Sequence, residues 1–315
     1  MLSSAATSLA LLGRHLERAD HLGRILGVHV ALSLDRTEEP GPEFWVRFME
    51  LAGWRGSDTG RRDDAIAMVT AGTLGPSVQA SVAAARQAAQ AVRPSLPTEL
   101  YEQVNALHWR VQRGVEQADL YPFLMDVQMS IRLVDGLLDD TMFHDEARDF
   151  VRLGKFVERA GNVTTVVTRK SSELAGTPED ALEWTAVLKC CFAFESYQSR
   201  YGGGVTADRV IEFLVLDGSL PRSARFSSAN ALEAVGRIEG RSRRSKPLRL
   251  LIRLNALYGQ ANTQSILDSP LDFEAECRAL LRQLEVALRE TYFHPSKVPA
   301  AVAGEEGRGM PQQQQ

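Results

Sequence analysis

Apolar residues recur at three- and four-residue intervals along nearly the whole chain. From Ala5, the positions Leu9, Leu12, Leu16, Ala19, Gly23, Leu26 and Val30 form one stripe, the spacing of a helix with one buried face. Further stripes run through 43–55, 76–93, 98–115, 120–142, 147–174, 179–199, 206–217, 222–239, 247–267 and 271–293. Thr177-Pro178-Glu179-Asp180 and Ser269-Pro270-Leu271-Asp272 each set a hydroxyl before a proline and place an acid in the first turn, as helix starts do. Pro94 and Pro97 separate one helix from the next. Val163 to Thr168 is β-branched throughout but continues a helical stripe, and packing overrides propensity there. Strand-like alternation is absent. The pattern predicts an all-α protein, one compact body of eleven or twelve helices. From Ser296 the chain turns to Pro, Gly, Ala and Glu and ends in four glutamines, so 296–315 is expected to be a disordered tail.

The chain also resembles itself. Leu12-Gly13-Arg14-His15-Leu16-Glu17-Arg18-Ala19 aligns with Leu153-Gly154-Lys155-Phe156-Val157-Glu158-Arg159-Ala160, with five of eight positions identical and an offset of 141. Trp45 aligns with Trp184 at 139, and Gly72-Thr73-Leu74-Gly75-Pro76-Ser77 with Gly218-Ser219-Leu220-Pro221-Arg222-Ser223 at 146. Three matches in one order predict two related helical halves, 1–145 and 146–295. The period is too long for a solenoid.

Composition narrows the function classes. With 44% apolar and 24% charged residues over 315 positions, the chain has the make-up of a globular protein with a self-sufficient core. A net charge of −4 gives no reason to expect a nucleic-acid partner. Cys190, Cys191 and Cys277 are too few and too odd in number for a disulfide framework. No charge precedes Arg14, unlike a secretory leader. The longest uncharged run, Ala65 to Ala85, is broken by glycines, Pro76 and Gln79, so no membrane span is expected. A cytoplasmic location follows as the expectation.

The repeated octapeptide carries the candidate chemistry. On a helical wheel Arg14, Glu17, Arg18 and His21 gather opposite the Leu12 stripe, and Lys155, Glu158, Arg159 and Asn162 do the same in the second copy. Each patch sets a carboxylate between two cations, and arginine forks suit carboxylate or phosphate groups. Three readings stand: exposed helix faces, salt bridging that docks the halves, or a ligand or partner site. Other clusters carry less. Asp139, Asp140, His144 and Asp145 are weak metal candidates whose spacing matches no compact loop, so no metal is assigned. Arg237, Arg241, Arg243, Arg244 and Lys246 form a basic loop able to dock an acidic partner. Gly202-Gly203-Gly204 has no lysine after it and no strand before it, so it is read as a hinge, and no cofactor is expected.

LGRHLERADHLGRIL, repeated as LGKFVERAGNVTTVV, resembles the alpha-E family of bacterial helical proteins, named for its Glu-Arg motif. DDTMFHDEARDFVRLGKFVERA, FAFESYQSRY, FLVLDGSLPRSARF and ETYF extend the likeness over about residues 1–293. The resemblance implies association with circularly permuted ATP-grasp proteins and with transglutaminase-like or proteasome-like peptidase proteins. It therefore implies a helical partner, or substrate-presenting module, of an ATP-grasp-type amide ligase acting on a peptide or small metabolite. The competing readings are an enzyme using Glu17 or Glu158 as general acid/base beside an anion-holding arginine, and a purely structural interaction protein. Three positions depart from the family pattern. Leu9-Ala10-Leu11 replaces an aromatic pair, Gly161 replaces an acid, and Thr164-Thr165 lacks the arginine that Arg24 keeps in the first copy. The first copy is thus the better candidate site.

Overall fold

The computed structural model describes residues 3–35, 39–54, 60–72, 75–114, 119–174, 180–240 and 244–293. Among the described residues there are fourteen α-helices and no strand. Up to residue 145 these are α1 (Ser3–Asp35), α2 (Pro42–Leu51), α3 (Arg62–Ala71), α4 (Val78–Ala91), α5 (Thr98–Gln112) and α6 (Leu120–Thr141). Beyond it come α7 (Glu146–Glu173), α8 (Asp180–Cys190), α9 (Phe194–Tyr201), α10 (Ala207–Ile211), α11 (Ala224–Glu239), α12 (Lys246–Gln260), α13 (Thr263–Asp268) and α14 (Pro270–Leu288).

The helices beyond the expected number have local causes. In α3 only Ala65, Ile66, Val69 and Thr70 are buried, a stripe too short to register as a period. The 179–199 stripe breaks at Phe192, whose φ of 54° ends the helix. The 247–267 stripe breaks at Asn262, which starts α13 through a capping box with Ser265. The Ser269 cap is half right: Pro270 opens α14, but the Ser269 side chain makes no capping bond. Thr177, Pro178 and Glu179, and the tail from 296, lie outside the described residues. The β-branched run 163–168 is helical: the Thr164 and Thr168 hydroxyls donate back to the carbonyls of Ala160 and Thr164, both at 2.8 Å.

α1 lies at the centre, packed by α7, α4, α6 and α8. It buries Glu17, Asp20, Arg24 and His29 beside its apolar residues, so the single stripe seen in the sequence understates its burial. α1 and α7 run side by side in the same direction, with repeat-equivalent residues facing each other. A Cβ on Gly13 would lie 2.0 Å from the Val151 carbonyl oxygen, and one on Gly154 only 1.9 Å from that of Ala10. No other residue fits at either place.

The surrounding elements recur in order. α4 covers α1 as α11 covers α7, and α5 with α6 recurs as α12 with α14. Ser77 caps α4 by accepting from the Ala80 amide, and Ser223 caps α11 by accepting from that of Phe226. At the end of α2, the amides of Gly53 and Trp54 donate to Glu50 and Met49 carbonyls; at the end of α8, those of Phe192 and Ala193 donate to Lys189 and Leu188. Gly53 and Phe192 therefore hold one left-handed position, with φ of 89° and 54°, and the phenylalanine takes it at a cost of about 1 kcal/mol.

Gly13→Ala and Gly154→Ala are each expected to destabilise the protein by about 3 kcal/mol or more, because backbone must move. Gly23→Ala is the control: its methyl would meet Leu124 Cδ2 at an ordinary 3.6 Å, and it should be neutral or stabilising by up to about 1 kcal/mol. Urea unfolding checks the contrast; three similar losses would refute the close approach.

Candidate functional site

The Glu-Arg motifs meet across the α1–α7 contact. Arg159 donates from Nε and Nη2 to the two carboxylate oxygens of Glu17 at 2.7 and 2.6 Å. Arg18 does the same to Glu158 at 2.7 and 3.1 Å. Each helix thus gives its glutamate to the other's arginine, two bidentate pairs crossed about the glycine contact. Of the readings the wheel left open, this is the geometry of salt bridging between the motif helices, with each carboxylate facing a cation of the other helix rather than lying between cations of its own. The parallel partner helix brings a better-aimed fork than the same helix can.

The pairs differ in burial. Glu17 and Arg159 are each about 6% exposed at the side chain. Burial alone would raise the Glu17 carboxyl, but the Arg159 guanidinium beside it outweighs this and holds it down to about 2. Arg18 is 35% exposed and Glu158 11%. This second pair forms part of the wall of a half-open polar cleft of about 590 Å³. α1 supplies Arg18 and His21, the end of α2 supplies Glu50 to Gly53, and α7 supplies Glu158, Asn162, Thr165 and Arg169. Arg278 of α14 completes it. Burial holds the His21 imidazole down at about 4, so the ring is neutral at pH 7. The Asn162 amide nitrogen is buried with no hydrogen-bond partner. Buried Glu274 holds the two outer arginines, pairing with Arg169 at 3.3 Å and with Arg278.

The remaining residues singled out in the sequence have other duties. Arg14 bonds Glu285 at 3.1 Å and lies 3.6 Å from Glu158. Lys155 pairs with Asp135 of α6 at 2.7 Å. Arg24 is buried against Asp20 at 2.9 Å, turned away from the cleft. In the acidic cluster, Asp139 pairs with Arg148 at 2.6 Å. Asp145 caps α7 by accepting from the Ala147 and Arg148 amides, and Asp140 and His144 are exposed. Of the basic loop, Arg237 is held by Asp149 at 2.6 Å and by Glu233, and Lys246 by Glu290 at 3.2 Å. The Arg244 carbonyl accepts from Arg249 at 2.7 Å, while Arg241 and Arg243 lie outside the described residues. Sequence reasoning missed Arg169, Glu274 and Arg278, since nothing marks residues more than a hundred positions apart as neighbours.

An all-α body centred on a parallel helix pair locked by doubled Glu-Arg motifs defines the class. The chain belongs to the Alpha-E family, described as a predicted alpha-helical domain with a conserved ER motif, which matches residues 1–293. The chain is similar to the uncharacterized protein Rv2567 of Mycobacterium tuberculosis, 24% identical over 313 aligned positions covering 90% of this chain and 35% of that protein. It is also similar to the uncharacterized protein Mb2597 of Mycobacterium bovis, at 23% over the same shares. The chain thus spans about a third of the length of the curated relatives it matches. No solved structure matches it.

Arg159→Ala strands a buried carboxylate and should cost about 3–5 kcal/mol. Arg18→Ala leaves Glu158 near Arg14 and solvent and should cost about 1 kcal/mol or less. Denaturant melts decide, and equal losses would contradict the difference in burial.

Acid stability should fall in two stages. His15, His21 and His29, each held at about 4 by burial from a usual 6.5, must take up protons on unfolding, so stability drops as pH falls from 6.5 towards 4. Glu17, held at about 2 from 4.5, contributes stability that is lost as pH falls from 4.5 through 2. Glu17→Gln should lack the second stage in a pH series of urea melts. A second stage as large as in the unmutated protein would contradict the assignment.

Proposed function

We propose that this protein is a helical partner module that presents a small peptide or metabolite substrate to an ATP-grasp-type amide ligase. The observation that carries the reading is the state of the doubled motif at the cleft. Its carboxylates are committed to bidentate ion pairs, and the cleft is lined by the Arg18, Arg169 and Arg278 guanidiniums, each held in place by a glutamate, beside the unpartnered Asn162 amide. Such a lining recognises a carboxylate-bearing polar molecule. It supports the enzyme reading poorly: Glu17 is buried against Arg159, which holds its carboxyl below the usual carboxylate range, and both oxygens of Glu158 are taken up by the Arg18 fork.

Two further facts favour a module that works against another protein surface. The curated relatives carry about twice as much sequence again beyond the matched region. In addition, α6 displays Tyr121, Met125, Met129 and Leu133 at four-residue intervals, 38–72% exposed and in a row, a face suited to docking. The basic residues Arg237, Arg241, Arg243 and Arg244 are a lesser docking candidate. Transglutaminase-like or proteasome-like peptidase proteins belong to the same proposed set of partners, in the cytoplasm. Among the described residues no helix is long and apolar enough to cross a membrane.

The test is ATP-dependent ADP release by the ATP-grasp-type ligase of the same host, with and without this protein. Addition should raise turnover. Arg278→Ala should cut the gain about tenfold or more with helicity unchanged, and Met129→Glu with Leu133→Glu should abolish co-elution with the ligase. A ligase indifferent to the protein, or a gain untouched by both changes, would overturn the proposal.

A further inference from the structure

The two halves treat one position differently. At the end of α2, Gly53 leaves the cleft open. At the equivalent end of α8 stands Phe192, held in a left-handed conformation that favours glycine and 46% exposed. Three guanidinium groups gather round its ring, with carbons at 4.2 Å for Arg132, 4.5 Å for Arg24 and 5.3 Å for Arg222. They come from α6, α1 and the turn before α11. Stacking explains why the ring is tolerated there, but not why three like charges converge.

The cluster is short of negative charge. Asp20 is the one carboxylate fully engaged in it, at 2.9 Å from Arg24 and 3.3 Å from Arg222. Glu17 reaches Arg222 only at 3.8 Å and is already neutralised by Arg159. Among the described residues Arg132 has no carboxylate within ion-pair distance and no hydrogen bond, and its Nε is buried without a partner. Burial lowers its pKa, and Arg24 and Arg222 add to this against the opposing pull of Asp20 and of Asp135, the latter already paired with Lys155. A guanidinium does not give up its proton in a protein, so that penalty is relieved by a counter-anion. The adjacent Cys191 cannot be one, since burial pushes its thiol up to about 12. Three cations against one carboxylate leave two positive charges, while Arg132 and Arg222 remain partly open to solvent.

We infer that the arginine cluster beneath Phe192 is a binding site for the dianionic phosphate of a small phosphate monoester. Arg132 and Arg222 offer the forks, Arg24 lies behind them held by Asp20, and the exposed Phe192 ring forms an apolar shelf for the rest of the molecule. A phosphate dianion matches the surplus charge, and its three oxygens accept from several forks at once. The site is separate from the cleft, which contains none of these three arginines.

Isothermal titration of the full chain at fixed ionic strength tests this, with phenyl phosphate, inorganic phosphate and the monoanionic diester dimethyl phosphate as probes. Phenyl phosphate should bind saturably, inorganic phosphate should compete with it, and dimethyl phosphate should bind about tenfold more weakly or worse. Arg132→Met should weaken phenyl phosphate about tenfold or more. Arg253→Met, which removes an exposed cation on α12, should leave it unchanged. Should Arg132→Met fail to fold by circular dichroism, Arg132→Lys, which keeps the charge and loses the fork, should still bind several-fold more weakly. The inference is overturned by no saturable binding, by equal binding of the diester, or by binding that survives the Arg132 changes and is lost in Arg278→Met, which would place the phosphate in the cleft.

Discussion

The fold depends on how closely two backbones approach. Where α1 and α7 touch, each presents a glycine to the other's carbonyl oxygen at a distance no side chain allows. That contact sets the helices parallel and in register, so equivalent residues face one another. The crossed Glu-Arg pairs are its consequence: one turn further along, each carboxylate finds the opposite guanidinium at bidentate distance. A buried ion pair adds little net stability, since desolvation offsets the attraction. It does penalise every misaligned arrangement, because a slip of one residue would strand two charges. The motif is best understood as a register lock.

The lock is built twice, and its two sides differ. On one side the pair borders an open cleft with Gly53 at its edge; on the other it is roofed by the Pro221 carbonyl, Arg222 and the Phe192 ring. The charges that the first copy keeps and the second has lost, Asp20 and Arg24 against Gly161 and Thr165, follow from this. Asp20 and Arg24 serve the roofed side, whereas Thr165 lies in the cleft, where an arginine would take up space. The charges that make the first copy the better candidate in the sequence lie in the arginine cluster, outside the cleft.

Helix type was legible in the sequence because it is written in local spacing, the 3.6-residue period, and the shared Leu-Gly-x-x-x-Glu-Arg-Ala pointed to the two helices that meet. Helix ends were less so. The break at Phe192 carries no glycine or proline, so nothing in the local sequence marks its left-handed backbone. The wheel placed Glu17 and Arg18 together on the right face, yet it could not show what that face meets. Opposite an apolar stripe the default is solvent, while α1 is a central helix with neighbours on several sides. Arg278 completes the cleft from α14, held by Glu274, and nothing in their sequence surroundings marks them out.

The central claim is that Glu17 and Arg159 act as one unit that fixes how α1 and α7 dock. A double-mutant cycle on unfolding free energy measures this directly, using Glu17→Gln, Arg159→Met and their combination. The account predicts a coupling energy of about 2 kcal/mol or more, the double variant being far less impaired than the sum of the single changes. A coupling below about 0.5 kcal/mol, the level of independent sites, would contradict it.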